Sequence, residues 1–121
     1  MEKVILIVDD DYKNLKLERD LLDVCGYRTI QATDGKQGVE LAKKQKPNLI
    51  LMDIMMPVMD GYSACYALKK DKETREIPVI MVTAVDFELN RKLAVEVSAD
   101  GYITKPFDRR QLIDTIRPFL S

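Results

Sequence analysis

The chain has 121 residues, 46% hydrophobic and 32% charged, a size and balance suited to one compact soluble domain with one sizeable core and no room for a second. Lys plus Arg number 19 against 20 for Asp plus Glu, and the net charge of -1 supplies no basic field to draw the protein to nucleic acid or to a membrane surface. Histidine is absent, which removes the usual general base and the commonest zinc ligand and leaves any chemistry to carboxylates, hydroxyls, lysine and arginine.

The chain opens on strand-like sequence, "VILIV" at Val4–Val8, and no stretch approaches the roughly 20 apolar residues that span a bilayer, so a cytoplasmic home is expected. Three consecutive carboxylates follow at once, Asp9-Asp10-Asp11. Like unit charges about 4 Å apart repel by about 4 kcal/mol at an effective dielectric of about 20, so acids beside a buried strand call for a cation. Asp11 caps a helix expected to run to about Cys25, with Leu17, Leu21 and Val24 as its core face and Leu15 and Leu22 as a half-buried flank. A second strand, "YRTIQA", covers Tyr27–Ala32, and Asp34-Gly35 opens a helix to about Lys44. The third strand, "LILM" at Leu49–Met52, runs into Asp53, and Gly61 begins a helix ending near Lys70. The fourth strand, Val79–Val82, ends in Thr83; a helix from Asp86 to Val97 follows it. The fifth, Tyr102–Thr104, runs into Lys105-Pro106. The last helix spans Asp108 to Phe119, with Leu112, Ile113, Ile116, Phe119 and Leu120 on one face and Pro118 distorting its final turn. Cys25 and Cys65 both fall in helical patterns, as buried reduced thiols would.

Strands alternating with helical segments imply a parallel sheet covered on both faces. "VILIV", "LILM" and "VIMV" are continuously apolar and read as central strands, whereas "YRTIQA" and "YIT" are mixed and read as edges. The doubly wound order 2-1-3-4-5 satisfies this with right-handed crossovers and puts a ligand at the carboxyl ends of the first and third strands. Asp53 then stands beside Asp9 and Asp10. Hard oxygen ligands without His or Cys favour Mg²⁺ or Mn²⁺. Thr83 and Lys105 arrive at the same edge, where they can face an anion above the metal; together these groups form a phosphoryl site in which a carboxylate can be the nucleophile.

Asp9-Asp10 after the first strand, Asp53 in "LILMDIMMPVMDG", Thr83-Ala84 after the fourth strand and Lys105-Pro106-Phe107 after the fifth closely resemble, in order and along the whole chain, the receiver domain of two-component response regulators. The resemblance implies a flavodoxin-like five-stranded sheet with five helices. It implies that Asp53 accepts phosphate from a phosphohistidine on a histidine kinase or histidine phosphotransfer protein. Asp10, Asp53 and the backbone carbonyl of Met55 would ligate Mg²⁺, with Asp9 acting through water. Lys105 would pair with the phosphoryl oxygens across a cis Lys-Pro bond, Thr83 would hydrogen-bond to them, and Tyr102 would rotate inward as the second switch residue. Leu15 and Leu22, on the helix rising from the acids, are expected to meet the phosphodonor. Met55 and Val85 are apolar where relatives are often polar, so neither could hold a hydrolytic water, and a long-lived phosphate is expected.

With no output segment after the fifth helix, the expected protein is a stand-alone receiver, a monomer or weak dimer that signals to a downstream protein target and catalyses only its own phosphorylation and dephosphorylation. One alternative is a phosphorelay intermediate that hands the phosphate of Asp53 to a histidine elsewhere. A different class, an aspartate-nucleophile phosphohydrolase, would want an acid where Met55 stands, and a nucleotide-binding module would want a GxGxxG or GxxxxGK[ST] loop, which is absent.

Overall fold

The computed structural model describes residues 2–83 and 88–120. Five parallel strands, β1 (Val4–Val8), β2 (Arg28–Ala32), β3 (Leu49–Asp53), β4 (Val79–Thr83) and β5 (Gly101–Thr104), form one sheet in the order β2-β1-β3-β4-β5. Between and after them lie helices α1 (Tyr12–Val24), α2 (Gly35–Gln45), α3 (Gly61–Lys70), α4 (Glu88–Glu96) and α5 (Arg109–Ile116). The order and the central placement of the three apolar runs are as the sequence implies.

Alternation along the central strands divides the core in two. Ile5, Ile7, Leu49, Leu51, Ile80 and Val82 pack on one face with Leu112, Ile113 and Ile116 of α5. Leu6, Val8, Ile50, Met52, Val79 and Met81 pack on the other with Ala42 of α2 and Ala64, Cys65 and Leu68 of α3. Helices α1, α2, α3 and α5 start where an aspartate satisfies an orphan amide: Asp11 accepts from Lys13 N, Asp34 from Gln37 N, Asp60 from Ser63 N and Asp108 from Gln111 N, the last as a capping box.

Three expectations are corrected. In α1 the buried face is Leu15, Glu18 and Leu22, whereas Leu17 is 55% and Val24 70% exposed and only Leu21 of the expected set touches the core. Leu15 and Leu22 are 2% and 0% exposed, so neither is a flank that a partner can reach. The row at positions i, i+3 and i+7 is the core stripe, and the acid in its middle disguised it. Cys25 is exposed rather than buried, although both cysteines are free. At the C-terminus, α5 ends at Ile116 rather than Phe119, and Phe119 is 38% exposed, whereas Pro118 distorts the final turn as expected, sitting in a 3₁₀ turn, Arg117–Phe119, and Leu120 returns to the core.

Candidate functional site

Sheet register gathers the polar strand ends at one edge. Val8 pairs with Met52, Asp53 with Val82 and Thr83 with Thr104, so the residues following β1, ending β3 and β4 and following β5 converge. Asp9 is 2% exposed; its Oδ1 accepts from the Asp11 amide at 2.9 Å. Its Oδ2 accepts from Lys105 Nζ at 3.1 Å, and the same ammonium lies 3.5 Å from Asp53 Oδ1. The Lys105-Pro106 bond is cis, and the Lys105 backbone amide donates to the Thr83 carbonyl at 2.6 Å. The lysine is therefore anchored at both its backbone and its side chain.

The charges shape one another. Burial, reinforced by the charge of Asp9, pushes the Asp53 carboxyl up to about 6, with Lys105 opposing the shift. For Lys105 burial pulls downward, but Asp53 and Asp9 together outweigh it and hold the ammonium above its ordinary value. Asp10 is exposed, as a ligand facing solvent can be. One oxygen from each of Asp9, Asp10 and Asp53 lies within 4.8 Å of the others. Three converging carboxylates, without His or Cys among them, fit a hard divalent cation. Their mutual repulsion is relieved in part by one lysine, and further positive charge would relieve it more.

The loop after β3 is held by glycine. Gly61 N donates to the Ile54 carbonyl at 2.9 Å, and a Cβ at residue 61 would fall onto the Asp53 carbonyl oxygen. Only a residue without a side chain lets α3 start this close to the strand end that carries Asp53. Met55, two residues on, is 81% exposed. Its side chain therefore packs against little of the protein, whereas the long-lived-phosphate expectation took it as an obstruction at Asp53; Val85, on which that expectation also rests, lies outside the described residues. Thr83 is 6% exposed at the end of β4. Tyr102, level with Met81, packs half-buried against the core face carrying α3 and α4.

Sequence reasoning missed one residue at this site. Glu18 is 3% exposed, and its Oε2 has no hydrogen-bond partner among the described residues. Leaving a buried acceptor unsatisfied costs about 1–3 kcal/mol. Burial foremost, with the charges of Asp9 and Asp53 and against that of Lys105, pushes its carboxyl up to about 8. The available signal was an acid interrupting the row from Leu15 to Leu22. Glu18 lines a groove of about 360 Å³ with Asn14, Leu17, Lys105, Pro106 and Phe107.

Comparison with known proteins agrees with this geometry. The family described as the response regulator receiver domain matches residues 5–117. The polar-differentiation response regulator DivK of Brucella anthropi is 39% identical over 121 residues, covering 100% of this chain and 98% of the relative. The chemotaxis protein CheY4 of Vibrio cholerae is 26% identical with a TM-score of 0.93, over 98% of this chain and 99% of that one. The receiver domain of sensor histidine kinase PA1611 from Pseudomonas aeruginosa, solved with a magnesium ion coordinated in its active-site cleft, is 33% identical with a TM-score of 0.91 over 100% of both chains.

Proposed function

The chain belongs to the response regulator receiver domain family, the phosphorylation-dependent switches of two-component signalling, and from that premise we propose that it takes a phosphoryl group from a phosphohistidine on a partner kinase or phosphotransfer protein onto Asp53. A carboxylate oxygen of Asp53 forms the new O–P bond as the P–N bond to the donor imidazole breaks, its electron pair staying with the imidazole nitrogen. A divalent cation, Mg²⁺ or Mn²⁺, would be held by Asp10, Asp53 and the Met55 backbone carbonyl, with Asp9 acting through water, and supplies the positive charge that lets an anionic phosphoryl group approach an anionic carboxylate.

The observation that carries the reading is Lys105 Nζ at 3.5 Å from Asp53 Oδ1 and 3.1 Å from Asp9 Oδ2. An ammonium already beside the accepting oxygen needs little movement to pair with a phosphoryl oxygen formed there. Thr83, at the neighbouring strand end, hydrogen-bonds to the phosphoryl group, and Tyr102, one strand further, turns inward as the second switch residue. The changed face signals to a downstream protein, and the chain catalyses only its own phosphorylation and dephosphorylation. No helix among the described residues is long and apolar enough to cross a membrane.

Phosphoramidate, whose P–N bond stands for that of phosphohistidine, tests the donor chemistry. With Mg²⁺ it should label wild-type protein, and Asp53→Ala should stay unlabelled. Labelling of Asp53→Ala to the wild-type extent would refute Asp53 as the acceptor.

A further inference from the structure

Glu18 occupies the middle of the row that α1 turns into the core, 3% exposed and with Oε2 unpartnered among the described residues. A leucine there would complete an apolar face, so fold stability does not explain the acid. The charged groups whose field reaches it are Asp9 at the end of β1, Asp53 at the end of β3 and Lys105 after β5. Of these only Lys105 is a cation, and it borders the same groove as Glu18. Its ammonium has three N–H donors, and Asp9 and Asp53 engage two of them.

Both partners of Lys105 belong to the cluster that fits a divalent cation. A cation there would repel the ammonium and draw off the carboxylate charge that holds it. Lys105 then needs another acceptor, and an unsatisfied one borders its groove. We propose that Glu18 is a positioning residue that accepts Lys105 Nζ when a divalent cation occupies the Asp9, Asp10 and Asp53 cluster, so that Lys105 exchanges between two sets of acceptors and the site binds the metal more tightly. A carboxyl oxygen accepts an N–H whether the group is an acid or a carboxylate. Burial and the charge of Asp9 hold the Glu18 carboxyl up at about 8, so it competes weakly for the ammonium against two aspartates. The inference rests on the receiver reading in taking the cluster for a divalent-cation site.

Calorimetric titration of the full chain with Mg²⁺, without phosphodonor at pH 7, tests it on wild type, Glu18→Gln and Glu18→Leu, alongside the metal-free melting temperature of each. Glu18→Gln keeps an acceptor oxygen and should bind within about twofold of wild type, whereas Glu18→Leu should bind at least about fivefold more weakly while melting no lower. Should Glu18→Leu melt early, Glu18→Met replaces it as the apolar variant, with the same expectation. Wild-type affinity in the folded apolar variant, or equal weakening in Glu18→Gln, overturns the role of Glu18 alone. A wild type that binds no Mg²⁺ overturns the receiver reading with it.

Discussion

Asp53 and Lys105, separated in the sheet by β4, meet across its carboxyl edge with Nζ 3.5 Å from Oδ1. The pair is held from both sides: β3 fixes the carboxylate, and the Lys105 amide is tied to the Thr83 carbonyl. Removing the lysine leaves Asp9 and Asp53 facing each other with little to offset their charge. Lys105→Ala is therefore expected to lower stability by about 1–3 kcal/mol without divalent ions, less than for a fully buried pair because the lysine is 19% exposed. Denaturant midpoints in the presence of chelator measure this, and an unchanged midpoint would contradict the pairing.

Stability without divalent ions should fall as pH rises. The folded carboxyl of Asp53 titrates at about 6 against an ordinary 3.8, and that of Glu18 at about 8 against 4.5. Between those limits the folded chain binds more protons than the unfolded one, so stability is fully present below the unfolded values and is lost as pH passes the folded ones. For Asp53 the loss is about 2–3 kcal/mol, from about pH 4 to pH 6. Glu18 extends the decline to about pH 8. Midpoints at pH 5 and pH 8 in chelator should differ in this direction; Asp53→Asn should flatten the lower part of the window and Glu18→Leu the upper. A wild type more stable at pH 8 would contradict both shifts.

The two stripes of α1 give opposite outcomes on truncation. Leu15→Ala empties a fully packed site and should cost about 2–5 kcal/mol, whereas Leu17→Ala, on a side chain 55% exposed, should stay within about 0.5 kcal/mol. Urea unfolding of the two variants distinguishes them, and equal losses would show that the core face is misassigned.

Gly61→Ala should disturb the acceptor itself, because the new methyl group falls on the Asp53 carbonyl and must displace the loop after β3. A stability loss of about 1–3 kcal/mol is expected, with slower phosphorylation of the folded fraction. Val58, a β-branched residue at φ 69° and 79% exposed, gives the opposite case. Asn tolerates that left-handed backbone better, so Val58→Asn should raise stability by about 0.5–1 kcal/mol. A lower melting temperature for Val58→Asn would contradict that backbone conformation.

The strand order was legible because three runs had no polar residue and two did, and sheet position translates directly into that contrast. The converging residues Asp9, Asp10, Asp53, Thr83 and Lys105 followed from it, since a parallel sheet brings every strand's end to one edge. The buried face of α1 was not legible. Leu17, Leu21 and Val24 make an unbroken stripe, whereas the true stripe contains Glu18, and periodicity cannot recognise an acid buried for the sake of a neighbouring site. The exposure of Met55 was hidden for a related reason: its apolar side chain suggested a wall, but the side chain is 81% exposed in the loop after β3.

Intact mass after incubation with acetyl phosphate tests the central assignment most directly, in wild type and Asp53→Asn, with Mg²⁺ and with excess chelator. The expected result is the mass of one phosphoryl group added to wild type with Mg²⁺, and none to wild type in chelator or to Asp53→Asn. Full labelling of Asp53→Asn, or of wild type without a divalent ion, would contradict a metal-assisted acceptor at Asp53.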